Sequence, residues 1–244
     1  MILPVNDWSC LTYSKPVDPM KLNLLLLPPI QGSLAFFNMQ LRLSKNFNLF
    51  FWTYRQASIK ENAQLIAQAM PVEKFLVVGL SIGGLIGWQT ANLIPHRVLG
   101  LVTVGSLPHK NFLRRRIKYA QNVLRYSPTW VFDRWYKRKI KLHLTKEGIT
   151  SQDISTVLHD LPSKWVWCQR IGAIFNEFPM QPPLTPNIWI WGNEDPFVSW
   201  SADQVTVLYP NAQVVCLPGR HFPNYSSSEC FARTLVEFTD NLAF

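Results

Sequence analysis

FLVVGLSIGGLIGW, residues 75–88, joins a run of β-forming residues to an apolar run of helical character through the pattern G-x-S-x-G. Phe75–Val78 is predicted to be a buried strand and Gly84–Leu93 a helix. A sharp strand-to-helix turn at Ser81 would strain the backbone of the serine and lift its hydroxyl above the edge of a sheet. The alternative is an ordinary tight turn without a catalytic role. Further catalytic residues are needed to decide between the two.

The pattern on either side of this turn predicts a mostly parallel sheet. Buried strands are predicted at residues 22–28, 47–54, 75–78, 97–105, 187–192 and 212–219. Helical patterns fall at residues 33–44, 58–70, 84–93, 201–209 and 226–242. The helix at 58–70 opens with a capping box formed by Ser58 and Glu61. Strands that alternate with helices indicate an α/β fold with helices on both faces of the sheet.

Residues 107–183, called the cap segment below, interrupt this alternation with a helical stretch rich in basic and aromatic residues. We expect an α/β core at 1–106 and 184–244, with the cap segment inserted as a lid. Residues 110–146 hold 12 Lys and Arg and one acidic residue, so the net charge of this stretch is 12 − 1 = +11. The rest of the chain has 24 − 12 = 12 basic and 15 − 1 = 14 acidic residues, so its net charge is −2. This separation of charge suggests an acidic partner.

Composition narrows the class of protein. With 244 residues, 48% of them hydrophobic, the chain is long enough for one globular domain with a sizeable core. The first ten residues predict no signal peptide, and the early apolar run LLLLPPI is too short to span a membrane. Four cysteines without a C-x-x-C pair predict buried free thiols, a reducing cytoplasmic location and no metal site. They are Cys10, Cys168, Cys216 and Cys230.

A catalytic serine needs a histidine, and the chain has five. His221 is the only one that follows a late predicted strand, and loops after parallel strands are where an α/β sheet places its chemistry. His96 is expected to cap a helix. His109, His143 and His159 lie in the cap segment and are expected on its surface.

An acid must also orient the imidazole, so it should lie at a strand end. The loop after the strand at 187–192 supplies Glu194 and Asp195, whereas the loop SLPHKN after the strand at 97–105 has no acid. Taken alone, Asp195 reads as a turn residue and His221 as a loop residue. Three such residues at the ends of predicted strands, in the order Ser81, Asp195 and His221, favour a catalytic triad.

The stretches VVGLSIGG, RVLGLVTVGS, WGNEDPFV and PGRHFPNYSSSECF resemble the α/β-hydrolase superfamily over nearly the whole chain. Within it, the chain is most similar to the acyl-carrier-protein methyl ester esterases of biotin synthesis, through its size, the stretch LVTVGSLP and the basic cap segment. The resemblance implies a serine esterase with Ser81 as nucleophile, His221 as base and Asp195 as acid. It places the acid third after the strand-end Gly192, hence at Asp195 and not at Glu194. It implies no metal or organic cofactor.

The loop after the first core strand departs from the superfamily pattern. Where the family usually has His-Gly, this chain reads LLPPIQGS, and Pro29 has no N–H to donate. The resemblance therefore assigns the two backbone donors of the oxyanion hole to Ile30 and Ile82. The Pro-Pro pair also supports an alternative, a hydrolase-like binding protein without activity. The same loop resembles acyl-carrier thioesterases, which leaves thioester hydrolysis and general short-chain carboxylesterase activity open.

The basic residues of the cap segment are candidate contacts for an acidic acyl carrier protein. They are Arg114, Arg115, Arg116, Arg125, Arg134, Arg138 and Lys139. A solvated helix face, nucleic acid and an anionic membrane surface are the competing interpretations. A hydrolase needs its substrate above the serine, where a lid would lie, and this favours the carrier protein over the other partners. No nucleic acid is expected as a partner, and a monomer is expected.

Overall fold

The computed structural model describes residues 3–4, 11–13, 16–54, 56–112, 115–198 and 200–242. The described strands are β1 (Leu3–Pro4), β2 (Leu11–Tyr13), β3 (Leu22–Leu27), β4 (Phe47–Trp52), β5 (Phe75–Leu80), β6 (Val98–Val104), β7 (Asn187–Gly192) and β8 (Gln213–Leu217). They form one sheet in the order β1-β2-β4-β3-β5-β6-β7-β8. Every pairing from β4 to β8 is parallel, and β1 and β2 pair antiparallel at one edge. The predicted mostly parallel sheet is confirmed.

Helices connect the strands and fill the cap segment. The described α-helices are α1 (Ile59–Ala69), α2 (Ile82–Leu93), α3 (Arg115–Tyr126), α4 (Thr129–Lys146), α5 (Ser151–His159), α6 (Lys164–Asn176), α7 (Ala202–Leu208), α8 (Pro223–Ser226) and α9 (Ser228–Asp240). Two 3-10 helices span Leu34–Lys45 and Lys110–Phe112. At the start of α1 the Ser58 hydroxyl accepts a hydrogen bond from the Glu61 N–H at 3.1 Å, one half of the expected capping box. The helices α3 to α6 all come between β6 and β7 in the chain.

Two neighbouring residues of β6 show that helices cover both faces of the sheet. Successive residues of a strand face opposite sides. A Cβ added to Gly100 would meet the ring of Phe238 in α9, whereas the side chain of the next residue, Leu101, lies against Gly87 of α2. The helices α9 and α2 therefore pack on opposite faces, as the alternation of strands and helices predicted.

Burial explains the continuous apolar runs of the central strands. All of β5 is buried, and so are Leu24–Leu27 of β3. A strand covered on both faces has no exposed position for an alternating polar residue. Because β3, β5, β7 and β8 run in parallel, the loops that leave their carboxyl ends meet at one edge of the sheet. Ser81, Asp195 and His221 all lie on these loops.

The helix α4 shows how the cap segment packs. Its buried residues recur every four positions, at Phe132, Tyr136, Ile140 and Leu144. This spacing forms one apolar stripe along the helix. The positions between them are mostly exposed and include the cationic residues of the segment. The apolar stripe therefore faces the interior of the molecule, and the positive charge faces solvent.

The cysteine prediction is partly wrong. Cys168 is buried and Cys230 half-buried, but Cys216 is exposed. Cys216 lies on β8, the strand at the edge of the sheet, which is covered less completely than the central strands. Cys10 lies outside the described residues. Among the described residues no group of His, Cys, Asp and Glu could hold a metal ion, and no helix is long and apolar enough to cross a membrane.

Candidate active site

Ser81 occupies the sharp turn between β5 and α2. Its backbone has φ 53° and ψ −116°, and among the described residues it is the only non-glycine with positive φ. The Ser81 N–H donates to the carbonyl of Val104 on the adjacent strand at 2.8 Å. Such strained backbone persists only where the surrounding structure holds it, and strained residues concentrate at functional sites. The strained turn predicted from the sequence is therefore present.

The flanking glycines are required by close packing. A Cβ on Gly79 would collide with the carbonyl of Gly83, and a Cβ on Gly83 would collide with the carbonyl of Leu27 on β3. The turn is thus pressed against the neighbouring strand. This contact places Ser81 beside the loop that leaves β3.

Asp195 and His221 form a direct pair between the loops after β7 and β8. The Nδ1 of His221 lies 2.7 Å from Oδ2 of Asp195. The other carboxylate oxygen of Asp195 accepts hydrogen bonds from the N–H groups of Phe197 and Val198, at 2.7 and 3.1 Å. The neighbouring Glu194 is exposed. The structure therefore brings Asp195, and not Glu194, to the imidazole.

Each partner changes the pKa of the other. Burial alone would raise the pKa of Asp195, but the charge and hydrogen bond of His221 and two backbone N–H groups bring it below its ordinary value. Burial alone would lower the pKa of His221, but the carboxylates of Asp195 and Glu147 raise it above its ordinary value. The pair thus favours an imidazolium next to a carboxylate, the charge state that a general base reaches after it takes a proton.

Ser81 and His221 open into the same cavity, which has a volume of about 430 Å³. Its walls are mainly apolar, and they come from both the sheet core and the cap segment. The cap contributes Leu107, Leu124, Trp135, Tyr136, Lys139, Ile140, His143, Trp167, Ile171 and Ile174. An apolar cavity with a few polar groups at one place is typical of a small-molecule site. This one can enclose an apolar chain next to the serine hydroxyl.

The two residues expected to form the oxyanion hole both line this cavity. Ile82 is the first residue of α2, and Ile30 lies in the loop at residues 28–33, called the oxyanion loop below. The N–H of Gly32 donates to the carbonyl of Pro29 at 2.8 Å, so the loop is a tight turn in spite of its two prolines. Both isoleucines therefore line the same cavity as Ser81.

The expected carrier contacts are spread along the cap segment. Arg125, Arg134, Arg138 and Lys139 are exposed, and of these four only Lys139 also lines the cavity. The ammonium of Lys139 lies 6.0 Å from the ring centre of Trp135, which is another cavity residue. The positions of Arg115 and Arg116 fall in α3. Arg114 lies outside the described residues.

The surface position expected for the cap histidines is wrong for His143. Its side chain is only 12% exposed, and it lines the cavity with its ring centre 6.4 Å from that of His221. Burial, with the positive charges of His221 and Arg220, lowers the pKa of His143 to about 3, so the ring is neutral at pH 7. His109 is half-buried against Phe178, and His159 is exposed as expected.

Two buried charges of the cap segment were not found from the sequence. The carboxylate of Glu147, at the end of α4, accepts hydrogen bonds from the N–H groups of His221 and Phe222 at 3.1 and 3.0 Å. The guanidinium of Arg170, on α6, donates to the carbonyls of Ile30 at 2.6 Å and Tyr54 at 3.3 Å. A lone arginine within the apolar stretch WVWCQRIGAIF was the one available signal for Arg170.

A few cavity residues bring polar atoms into the apolar lining. The Oγ of Ser106 is buried without a hydrogen bond among the described residues, and the hydroxyl of Tyr136 faces the side chains of Gln31 and Trp167. Buried polar groups are nearly always paired, with protein or with a ligand or water. These groups give the otherwise apolar cavity the capacity to bind polar atoms of a substrate.

Comparison with known proteins agrees with this architecture. A family model described as the alpha/beta hydrolase fold matches residues 44–148. The pimeloyl-[acyl-carrier protein] methyl ester esterase of Edwardsiella ictaluri (strain 93-146) is 29% identical over 197 residues, which cover 75% of this chain and 76% of that protein. The similarity to this class of esterase, expected from the sequence, is confirmed.

Solved structures with the same fold catalyse different reactions. The enol-lactonase from Burkholderia xenovorans LB400 aligns with a TM-score of 0.72 at 16% identity, over 95% of this chain and 96% of that one. The Bacillus megaterium epoxide hydrolase aligns with a TM-score of 0.67 at 16% identity, over 99% and 100% of the two chains. These likenesses establish the fold, and the reaction has to be argued from the site.

Proposed function

We propose that this chain, which has the α/β-hydrolase fold, is a serine hydrolase of that superfamily for an ester carried by an acyl carrier protein. The observation that carries the reaction type is the buried pair of His221 and Asp195, which opens into one cavity with the strained Ser81. A nucleophile, a base and an orienting acid are the parts that acyl transfer to serine requires.

The proposed reaction proceeds through an acyl-enzyme. The Oγ of Ser81 attacks the ester carbonyl while Nε2 of His221 takes the serine proton. Backbone N–H groups of Ile30 and Ile82 bind the oxyanion of the tetrahedral intermediate. The alcohol leaves with the proton of the imidazolium. Water, deprotonated by His221, then attacks the acyl-enzyme and releases the carboxylic acid and the free serine. No metal or organic cofactor takes part in this scheme.

Two features support a carrier-bound substrate. The cap segment holds the excess positive charge of the chain, and an acyl carrier protein is acidic, so the two surfaces attract. The cavity is apolar and reaches Trp135 and the exposed Lys139, so an acyl chain can pass from the outer surface of the cap to Ser81. Since the Edwardsiella relative is named as a pimeloyl-[acyl-carrier protein] methyl ester esterase, we propose the pimeloyl methyl ester as the substrate.

Mass spectrometry of the carrier protein tests this substrate directly. The purified protein is incubated with pimeloyl methyl ester carrier protein, with its Ser81→Ala variant as the control. We expect loss of the methyl group, which leaves the carrier acylated with a free carboxylate. Restored growth without biotin in a bacterium that lacks its own pimeloyl esterase is the expected independent result.

Other results would assign another function. Release of the free carrier thiol would show thioester hydrolysis, for which the PPIQGS loop is the sequence argument. Turnover of small soluble esters alone would show a general carboxylesterase. Absence of any turnover and of any reaction with a fluorophosphonate would favour the non-catalytic binding protein.

The remaining parts of the proposal concern organisation. We propose that residues 107–183 act as a lid on the core, that the enzyme works as a monomer, and that it is cytoplasmic, where acyl carrier substrates occur. Retention on immobilised carrier protein at moderate salt, compared with anionic phospholipid and duplex nucleic acid, tests the choice of partner. Light scattering tests the monomer.

A further inference from the structure

Two buried charged side chains of the cap segment form hydrogen bonds with the backbones of the two loops that lie next to Ser81. Glu147 binds the loop at residues 218–222, called the histidine loop below, and Arg170 binds the oxyanion loop. Both side chains belong to residues that are at most 5% exposed. Neither contact involves an oppositely charged catalytic side chain. Each charge is instead bonded to main-chain groups of residues adjacent to, or part of, the proposed machinery.

The histidine loop depends on Glu147 for its hydrogen bonds. Each carboxylate oxygen of Glu147 accepts one N–H, from His221 and from Phe222. Removal of the carboxylate would leave two buried donors unpaired, and unpaired buried donors destabilise the conformation that contains them. The position of the His221 backbone is therefore fixed by a residue of the cap segment.

The oxyanion loop depends on Arg170 in the same way. One Nη donates to the carbonyl of Ile30, the other donates to the carbonyl of Tyr54, and the guanidinium lies 5.2 Å from the centre of the Tyr54 ring. The hydroxyl of Tyr54 donates in turn to the carbonyl of Pro28. Because a peptide unit is planar, a fixed carbonyl at Ile30 fixes the N–H of Gln31 directly, whereas the N–H of Ile30 shares a plane with the carbonyl of Pro29, which accepts from the N–H of Gly32 in the same turn. Arg170 thus sets the orientation of the loop that the two prolines begin.

Local stability does not account for either charge. Glu147 follows the last turn of α4, where the helix dipole disfavours a negative charge. Arg170 is a buried cation with no carboxylate within ion-pair distance among the described residues, and a desolvated unpaired cation is strongly unfavourable. The contacts that offset these penalties are mainly those to the two loops, which for Glu147 include an ion pair with Nε of Arg220 at 3.7 Å, and Glu147 also lies 3.3 Å from Nε2 of His143 on its own helix.

We propose that Glu147 and Arg170 are positioning residues through which the cap segment holds the histidine loop and the oxyanion loop in their working geometry. The proposal uses the hydrolytic reaction at Ser81 but does not depend on the carrier protein. It makes the cap segment part of the catalytic apparatus in addition to a docking surface.

Glu147→Gln tests the histidine loop, because glutamine keeps the shape but loses the charge and one acceptor. The groups that face Glu147 are His143 on its own helix, Arg220 and His221 on the histidine loop, and Asp195 across from it. The anion raises the pKa of His221, so its removal should lower that pKa. NMR titration of the imidazole measures this shift without any substrate. In the ester assay the acid limb of kcat/KM should move to lower pH, and the plateau kcat should fall about tenfold or more.

Arg170→Met tests the oxyanion loop and should give a different signature. We expect kcat for a small ester to fall roughly tenfold to a hundredfold, less than or comparable to the loss of one oxyanion donor, with KM and the acid limb unchanged. Arg170→Lys should restore part of the loss, since an ammonium can still reach one carbonyl. Arg170→Lys therefore still tests the proposal if the Arg170→Met variant does not fold.

Glu177→Gln is the matched control. Glu177 also joins the cap segment to the core, with Oε2 accepting from the Ser58 hydroxyl and the Lys60 N–H, but it contacts neither loop. We expect it to leave the titration of His221 and the kinetics unchanged at equal folded fraction, measured by thermal unfolding. An unmoved His221 titration in Glu147→Gln, with activity losses in Arg170→Met no larger than those of the control, would overturn the proposal. A shifted His221 pKa in a protein that hydrolyses no ester would refute the proposed function and leave the positioning role standing.

Discussion

The sheet core and the cap segment use charge in opposite ways. In the core, the charged side chains near the site are paired with each other, because His221 and Asp195 are buried and share a hydrogen bond. In the cap segment, the charges point outward at Arg134 and Arg138, or inward at Glu147 and Arg170 toward loops that belong to the core. In the proposed reaction the core supplies the reacting groups. The cap segment presents positive charge to solvent, and in our proposal its buried Glu147 and Arg170 position the loops that carry those groups.

The first way to test this division removes the nucleophile from the core. Ser81→Ala should lower kcat for p-nitrophenyl esters by a factor on the order of 10⁴–10⁶, because no other hydroxyl occupies the strained turn. Thermal unfolding should show an intact fold. Initial rates with a short p-nitrophenyl ester provide the measurement. Activity well above the residual rate expected from binding and the oxyanion hole would move the nucleophile elsewhere.

The second test asks which carboxylate of the core orients the base. Asp195→Asn should reduce kcat by a factor of about 10⁴, because the amide favours the wrong imidazole tautomer. Glu194→Gln is the matched control, since Glu194 is adjacent in sequence but exposed and not bonded to His221. Steady-state kinetics of both variants decide the matter. A greater loss in Glu194→Gln would reverse the assignment.

The third test addresses the outer charge of the cap segment. A triple variant replaces three exposed arginines of the cap segment, Arg125, Arg134 and Arg138, by Glu. This variant should have a kcat/KM for a carrier-bound ester that is lower by a factor of about 10–1,000 at low salt. Hydrolysis of a small neutral ester by the same variant is the internal reference. A higher salt concentration should also lower the kcat/KM of the wild-type enzyme for the carrier-bound ester, because ions screen exposed charges.

A control with the same change of charge lies on the core. Lys45, Lys60 and Lys74 are exposed there, and their replacement by Glu changes the net charge equally. We expect this variant to retain more activity on the carrier substrate than the cap variant. Equal losses in the two triple variants, or equal losses on both substrates in the cap variant, would make the charge of the cap segment unrelated to carrier docking.

The fourth and smallest expected effect is on the pH dependence of stability, through His143 at the boundary between the core and the cap segment. His143 is buried with a pKa of about 3, whereas an unfolded histidine titrates near 6.5. As the pH falls below 6.5 the unfolded chain binds a proton that the folded protein does not, so stability decreases between pH 6.5 and 3. His221 has a raised pKa, so the stability that it contributes is already complete below pH 6.5 and adds no slope in this window. Burial raises the pKa of Glu147, so its contribution has the opposite sign and is common to the wild type and the variants compared below.

His143→Leu should therefore flatten the fall of Tm from pH 6.5 to pH 4, by on the order of a few degrees for a chain of this size. His159→Leu is the matched control, because His159 is on the surface of the same segment. Differential scanning calorimetry across this range measures the slopes. The same slope in wild type and His143→Leu would show that His143 is protonated in the folded protein.

The elements of the core could be predicted from the sequence because each buried strand is a short apolar run, and such runs recur along the chain between helical segments. The strand β7 was located to the residue, and Ser81 lies at the predicted strand-to-helix turn. A parallel strand buried on both faces must be a continuous apolar run, and each run ends where its loop begins. Strand order and loop position then place Asp195 and His221 at the same edge of the sheet.

The inner contacts of the cap segment could not be predicted in this way. His143 and Glu147 have ordinary helix spacing, and a charged residue on a helix is normally exposed. Their burial depends on how α4 lies over the histidine loop, which is a tertiary contact between residues 74 positions apart. Arg170 reaches a loop 140 positions away. Hydrophobic periodicity carries no information on such long-range pairs.

The most direct test of the account is covalent labelling of the nucleophile. The wild-type protein is treated with a fluorophosphonate, and the modified peptide is identified by mass spectrometry, with Ser81→Ala as the control. The account predicts one adduct, on Ser81, with a rate that falls as His221 becomes protonated at low pH. A stoichiometric adduct on another residue, or no adduct in a folded protein at pH 8, would contradict it.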